Sequence, residues 1–177
     1  FTDRRQRQMC IRDSPKDVSL EEVAKDNLLD VKAAVLSYGG YDFYKYALQN
    51  AETYKNIFWW LALSKPRGVL GDKFNPVDDP EIYKAISPIY NIPEASTRKL
   101  PPQLLTAATK DRITPVQMIK EYGTALEEKN QEFEFWEHIN RNHAYLDSGR
   151  TLIAGNDFIR DGIPALKVMM DFFAKHL

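Results

Sequence analysis

The chain has a single cysteine, Cys10, so no internal disulfide can form. It also has almost no charge imbalance: 24 Lys and Arg stand against 25 Asp and Glu, a formal net charge of -1. That balance gives no electrostatic case for a nucleic-acid partner or an anionic membrane surface. Long apolar runs are missing too. The longest, Ile57–Leu63, falls far short of the ~20 residues that span a bilayer. No internal repeat or low-complexity stretch is visible. His, Cys, Asp and Glu nowhere cluster in metal-ligand spacing, and no glycine loop could cradle a phosphate, so no metal or other cofactor is expected. What is present is 177 residues, 44% of them apolar, enough for one domain with its own core. The expected partner is a small, largely uncharged molecule.

The first residues read differently from the rest. Met9-Cys10-Ile11-Arg12-Asp13-Ser14 resembles a translated frame of the transposon-end adapter used in preparing sequencing libraries. Residues 1–14 are therefore read as a non-native arm; the other reading is an ordinary basic, disordered one. Residues 15–177 form the expected domain.

Hydrophobic patterning outlines that domain. Ser19 and Glu22 stand in capping-box spacing, which predicts a short helix over 19–28. The run from Val31 to Tyr38 ends at Gly39-Gly40 and reads as a strand buried on both faces. A second buried strand is predicted over 102–108. Between them lies a long connection, about 42–93, rich in Tyr, Phe and Trp, which reads as an insertion of functional size. Thr114 is expected to cap the next helix, with Pro115 at its first position and Gln117 completing the box. Val116, Ile119, Tyr122 and Leu126 would share its inner side. Phe133, Phe135 and Trp136 among Glu132, Glu134 and Glu137 predict a half-buried strand. A last helix from about Asp161 to the end carries Leu166, Met169, Met170, Phe173 and Leu177 as its expected core stripe. Strands alternating with helices mean an α/β fold with a parallel sheet.

In such a sheet, chemistry gathers at the carboxyl ends of the strands. Asp111 lies just past the second strand, and His143 follows the third within Asn142-His143-Ala144-Tyr145. A carboxylate that orients an imidazole leaves the second ring nitrogen free to act as a base. His138 falls inside the predicted strand and reads as structural, while His176 sits at the C-terminal end with no partner nearby in sequence. The third member of a Ser-His-Asp relay is missing, because no G-x-S-x-G occurs. Ser37 in Val35-Leu36-Ser37-Tyr38-Gly39-Gly40 comes nearest. There Val35 replaces the first glycine, and bulky residues follow where an elbow helix wants small ones.

From about Asp30 to Leu177 the chain resembles the C-terminal half of an α/β-hydrolase, nearest to the microbial carboxylesterase and lipase branch. The resemblance is carried by Val31–Leu36 before the glycine pair, Ile86-Ser87-Pro88 ahead of Leu100-Pro101-Pro102, Asp111-Arg112-Ile113-Thr114-Pro115, and the histidine loop. It implies a partial α/β-hydrolase fold: the last three parallel strands with covering helices and a cap-like insertion after the first of them. It implies Asp111 as triad acid and His143 as triad base, with the serine elbow upstream. The expected function is then cleavage of carboxylic esters, this chain being a fragment of the enzyme and itself inactive and aggregation-prone. Phe58, Trp59 and Trp60 in the insertion either line an acyl or aryl pocket or pack the cap onto the core. Two other readings stay open: a non-catalytic α/β-hydrolase-like interaction domain, and a dehalogenase or epoxide hydrolase with an aspartate nucleophile. The residue at an elbow upstream of Asp30 would separate them.

Overall fold

The computed structural model describes residues 31–50, 70, 74, 76–147 and 156–177. The adapter-like arm, the helix expected over 19–28, and Phe58, Trp59 and Trp60 lie outside these residues. The architecture belongs to the unit Lys32–Leu177. In chain order it comprises β1 (Ala34–Ser37), α1 (Phe43–Asn50), α2 (Pro80–Ile86), a short 3-10 turn (Pro88–Asn91), β2 (Gln103–Ala108), α3 (Val116–Glu128), β3 (Phe133–His138), one π-helical turn (Phe158–Gly162) and α4 (Ile163–His176).

Among the described residues, three strands form one parallel sheet in the order β1-β2-β3. Ser37 lies opposite Thr106 in the register, and Ala108 opposite His138. β2 is central and buried throughout. Its alternation divides the core into two layers. Leu105 and Ala107 face Ile119, Tyr122 and Leu126 of α3, while Leu104 and Ala108 face Ala165, Met169 and Phe172 of α4, with Tyr145. A sheet sandwiched between helices in this way is the three-layer α/β arrangement.

At Gly123, α3 packs tightly on the sheet. A Cβ there would stand 2.9 Å from Cε2 of Phe133 and 3.5 Å from Cδ1 of Leu105. Gly123→Val is therefore expected to cost about 1–3 kcal/mol through overpacking. A shift of the urea midpoint at unchanged m-value would show it.

Three expectations need correction. β1 is half-buried rather than covered on both faces, because among the described strands it pairs with β2 alone. Thr114 does not cap α3: Pro115 holds the N-cap position, and no side chain bonds the first turn. The core stripe of α4 is only partly the expected one: Met169 is buried and Phe173 packs against the core, but Leu166, Met170 and Leu177 do not belong to it. Ala165, Met169 and Phe172 are buried, whereas Leu166, Met170 and Leu177 are 39%, 70% and 80% exposed. The helix is apolar on several sides, so periodicity alone could not set its phase.

Candidate active site

β2 and β3 end side by side, and the loops that leave them are stitched together. Thr109 N–H donates to His138 O at 3.1 Å, Lys110 N–H to Arg141 O at 2.8 Å, and Asn140 N–H to Thr109 Oγ1 at 2.7 Å. These bonds place Asp111 beside His143, with Asp111 Oδ2 2.7 Å from His143 Nδ1. The Asp111 side chain is fully buried, and that of His143 keeps 26% exposure. The acid thus sits behind an imidazole that still reaches the surface.

The carboxylate is held by its own turn. Ile113 N–H and Thr114 N–H donate to Oδ1 at 2.8 and 2.9 Å, and the Thr114 hydroxyl donates to Oδ2 at 2.8 Å. An Asp whose side chain binds the N–H groups two and three residues on is the Asx-turn pattern. Burial pushes the Asp111 carboxyl up. The bonds from His143 and from the Thr114 N–H and hydroxyl outweigh that push and hold it below the usual carboxylate range. An ionised Asp111 can only accept, so Nδ1 of His143 carries the proton and Nε2 is the basic nitrogen.

The histidine loop is braced from several sides. Asn156 Nδ2 donates to His143 O at 2.6 Å. The Tyr38 ring packs 5.1 Å from the imidazole, centroid to centroid. Ala144, next to His143, has φ 58°, and Tyr38, just past β1, has φ 41°. Left-handed backbone at a tyrosine and an alanine is strain, sustained here by the packing around it. Arg141 Nε lies 2.6 Å from the buried Asp161, which also receives a two-pronged bond from Arg160.

The other candidates fall elsewhere. Ser37 is a sheet residue, its Oγ accepting from Thr106 Oγ1 at 3.0 Å, and Thr106 in turn bonds closely to the Tyr145 hydroxyl. Burial raises that phenol to about 12. The turn residue with positive φ is Tyr38, one position later, so Ser37 is not presented on a strained elbow. His138 is buried and donates through Nε2 to Asp161 O at 2.8 Å. His176 packs on Phe172 and lies near Glu134. Sequence reasoning missed Thr114, Tyr38, Asn156 and Asp161 as parts of this site. Only Thr114 left a local signal, the Asp-x-x-Thr spacing of an Asx-turn.

The fold has solved counterparts. Pyrococcus horikoshii acylaminoacyl peptidase shares 20% identity and a TM-score of 0.56, over 82% of this chain and 20% of that one. An acylaminoacyl peptidase in complex with Z-Gly-Gly-Phe-chloromethyl ketone shares 19% at 0.55, over 82% and 20%. A truncated carbohydrate esterase from gut microbiota shares 21% at 0.48, over 64% and 35%. At such identities the two acylaminoacyl peptidases show the fold alone, and the chain spans only 20% to 35% of the three proteins' lengths. Among curated proteins the comparison finds no match. The family model of the prolyl oligopeptidase family, by contrast, matches residues 32–177, taking in all three strands and the loops that bear Asp111 and His143. The chain belongs to the prolyl oligopeptidase family.

Proposed function

We propose that this chain supplies the acid and the base of a Ser-His-Asp serine hydrolase that cleaves carboxylic acyl bonds. The observation that carries the reading is the 2.7 Å bond between a buried Asp111 and a partly exposed His143, at neighbouring strand ends. In this mechanism Nε2 of His143 takes the proton of a serine whose oxygen attacks the substrate carbonyl. Asp111 stabilises the imidazolium that results. The imidazolium then gives its proton to the leaving group as the bond from carbonyl carbon to leaving group breaks. Water, activated by the same imidazole, cleaves the acyl-enzyme. The serine and the oxyanion donors come from residues outside this chain.

The substrate is a carboxylic ester on the sequence reading. The family match favours a second reading, an amide or peptide bond. The relay serves both, since they differ in whether the protonated leaving group is an alcohol or an amine.

A fluorophosphonate reagent applied to the full-length protein that carries these residues tests the proposal. The expected adduct is on a serine outside residues 1–177. An adduct on Ser37 would bring the nucleophile into this chain, and absence of both adduct and turnover would favour a non-catalytic domain. Paired substrates with the same acyl group, a p-nitrophenyl ester and a p-nitroanilide, separate the two bond types. Turnover of the ester with the anilide intact supports esters; comparable kcat/KM on both supports amides.

A further inference from the structure

Thr114 stands where the sequence asks for a helix cap, yet its hydroxyl is turned away from the helix. Oγ1 lies 2.8 Å from Asp111 Oδ2 and 3.2 Å from His143 Nδ1. The orientation of the carboxylate does not need this hydroxyl. Two backbone N–H groups already fix Oδ1, one of them from Thr114 itself, and a substitution of the side chain leaves both in place. The hydroxyl proton therefore falls on the one carboxylate oxygen that faces the imidazole, and the hydroxyl oxygen faces the imidazole N–H.

We propose that Thr114 is a positioning residue of the acid–base pair: its hydroxyl, shared between Asp111 Oδ2 and His143 Nδ1, sets how strongly the carboxylate draws on the imidazole proton. The inference rests on the reading of Asp111 and His143 as acid and base. A donor on Oδ2 withdraws electron density from the oxygen that must stabilise the imidazolium. Without it, Oδ2 serves His143 alone and favours the protonated ring more strongly. The 3.2 Å contact to Nδ1 acts in the opposite direction but is the longer of the two, so the bond to Oδ2 decides the sign. An ordinary turn threonine would have no such effect, because the turn is closed by main-chain N–H groups.

Thr114→Val keeps the shape of the side chain and removes the hydroxyl; Thr114→Ser keeps the hydroxyl. Both are made in the full-length protein and read by the pH dependence of kcat/KM. Valine is expected to move the acid limb to higher pH by about half a unit or more. The low-field proton resonance of the His143–Asp111 bond is expected to move with it, and serine to restore both. A valine profile that superimposes on wild type overturns the proposal, as does a shift that serine fails to reverse. If the valine variant lacks a cooperative melt, Thr114→Ala is read against the same serine control. His143→Ala separates the layers of the argument. Turnover surviving that change removes the acid–base reading itself, whereas its loss beside a silent Thr114→Val removes only the role of the hydroxyl.

Discussion

Asp111→Asn is expected to lower kcat of the full-length protein by about 10^4-fold, less than the loss from His143→Ala, while KM changes little. The structure dictates how the amide will sit. Oδ1 is the acceptor for the N–H groups of Ile113 and Thr114, at 2.8 and 2.9 Å. The amide oxygen of an asparagine must take that place, because an NH2 group there would meet two donors. The NH2 is then left facing Nδ1 of His143, where Oδ2 now stands at 2.7 Å. Nδ1 can meet it only as an acceptor, which moves the ring proton to Nε2. The nitrogen that should accept the serine proton would then already carry one. Backbone placement and fold would survive and stability would fall only modestly with the lost charge, so the main loss should appear in kcat. The low-field Nδ1 proton resonance should vanish as well. A variant that keeps more than a tenth of wild-type kcat would show that Asp111 is not the acid.

Much of this arrangement was legible along the chain, and the parts that were not share a cause. β2 and β3 were visible because a central parallel strand is a short apolar run and the strand beside it is partly alternating. Asp111 and His143 stood out because loops after successive parallel strands emerge at one edge, whatever the details of packing. Thr114 was misread because two local patterns overlap on it. It begins a Thr-x-x-Gln capping box and it ends an Asp-x-x-Thr turn. In the fold the turn prevails: Thr114 bonds Asp111 through both its N–H and its hydroxyl, and the hydroxyl also meets His143 across the loop, a tertiary contact. The face of α4 was legible only in part, Met169 and Phe173 being core residues. Ile163, Leu166 and Met170 look as apolar as Ala165 and Met169, yet point outward. Which side packs inward depends on how the turn before the helix is docked, and Asp161 in that turn is tied to His138 and Arg141 as well as to its neighbours Asp157 and Arg160.

Asp161 is the second place where a single side chain should have a large effect, this time on stability. Its carboxylate is fully buried. Arg160 donates to both oxygens at 2.7 Å, the Asp157 N–H adds a bond of 2.9 Å, and Arg141 Nε approaches to 2.6 Å as an ion pair without an aligned hydrogen bond. Its main-chain oxygen holds His138 at the end of β3. The Arg160 fork, against the opposing effect of burial and with help from the Asp157 N–H, brings the carboxyl down to about 2. Asp161→Ala would strip the charge partner from Arg141, whose side chain is only 28% exposed, and is expected to cost about 3 kcal/mol. The pH dependence gives a cleaner test. A carboxylate whose folded value lies below its unfolded one of about 3.9 stabilises the fold fully above that pH, and the contribution is lost as pH falls through about 2. The shift corresponds to about 2 kcal/mol. The stability gap between wild type and Asp161→Asn should therefore be constant from pH 7 down to about 5, then narrow toward pH 2. A gap that keeps its size across that range would mean that the carboxylate charge has no part in holding the histidine loop against α4.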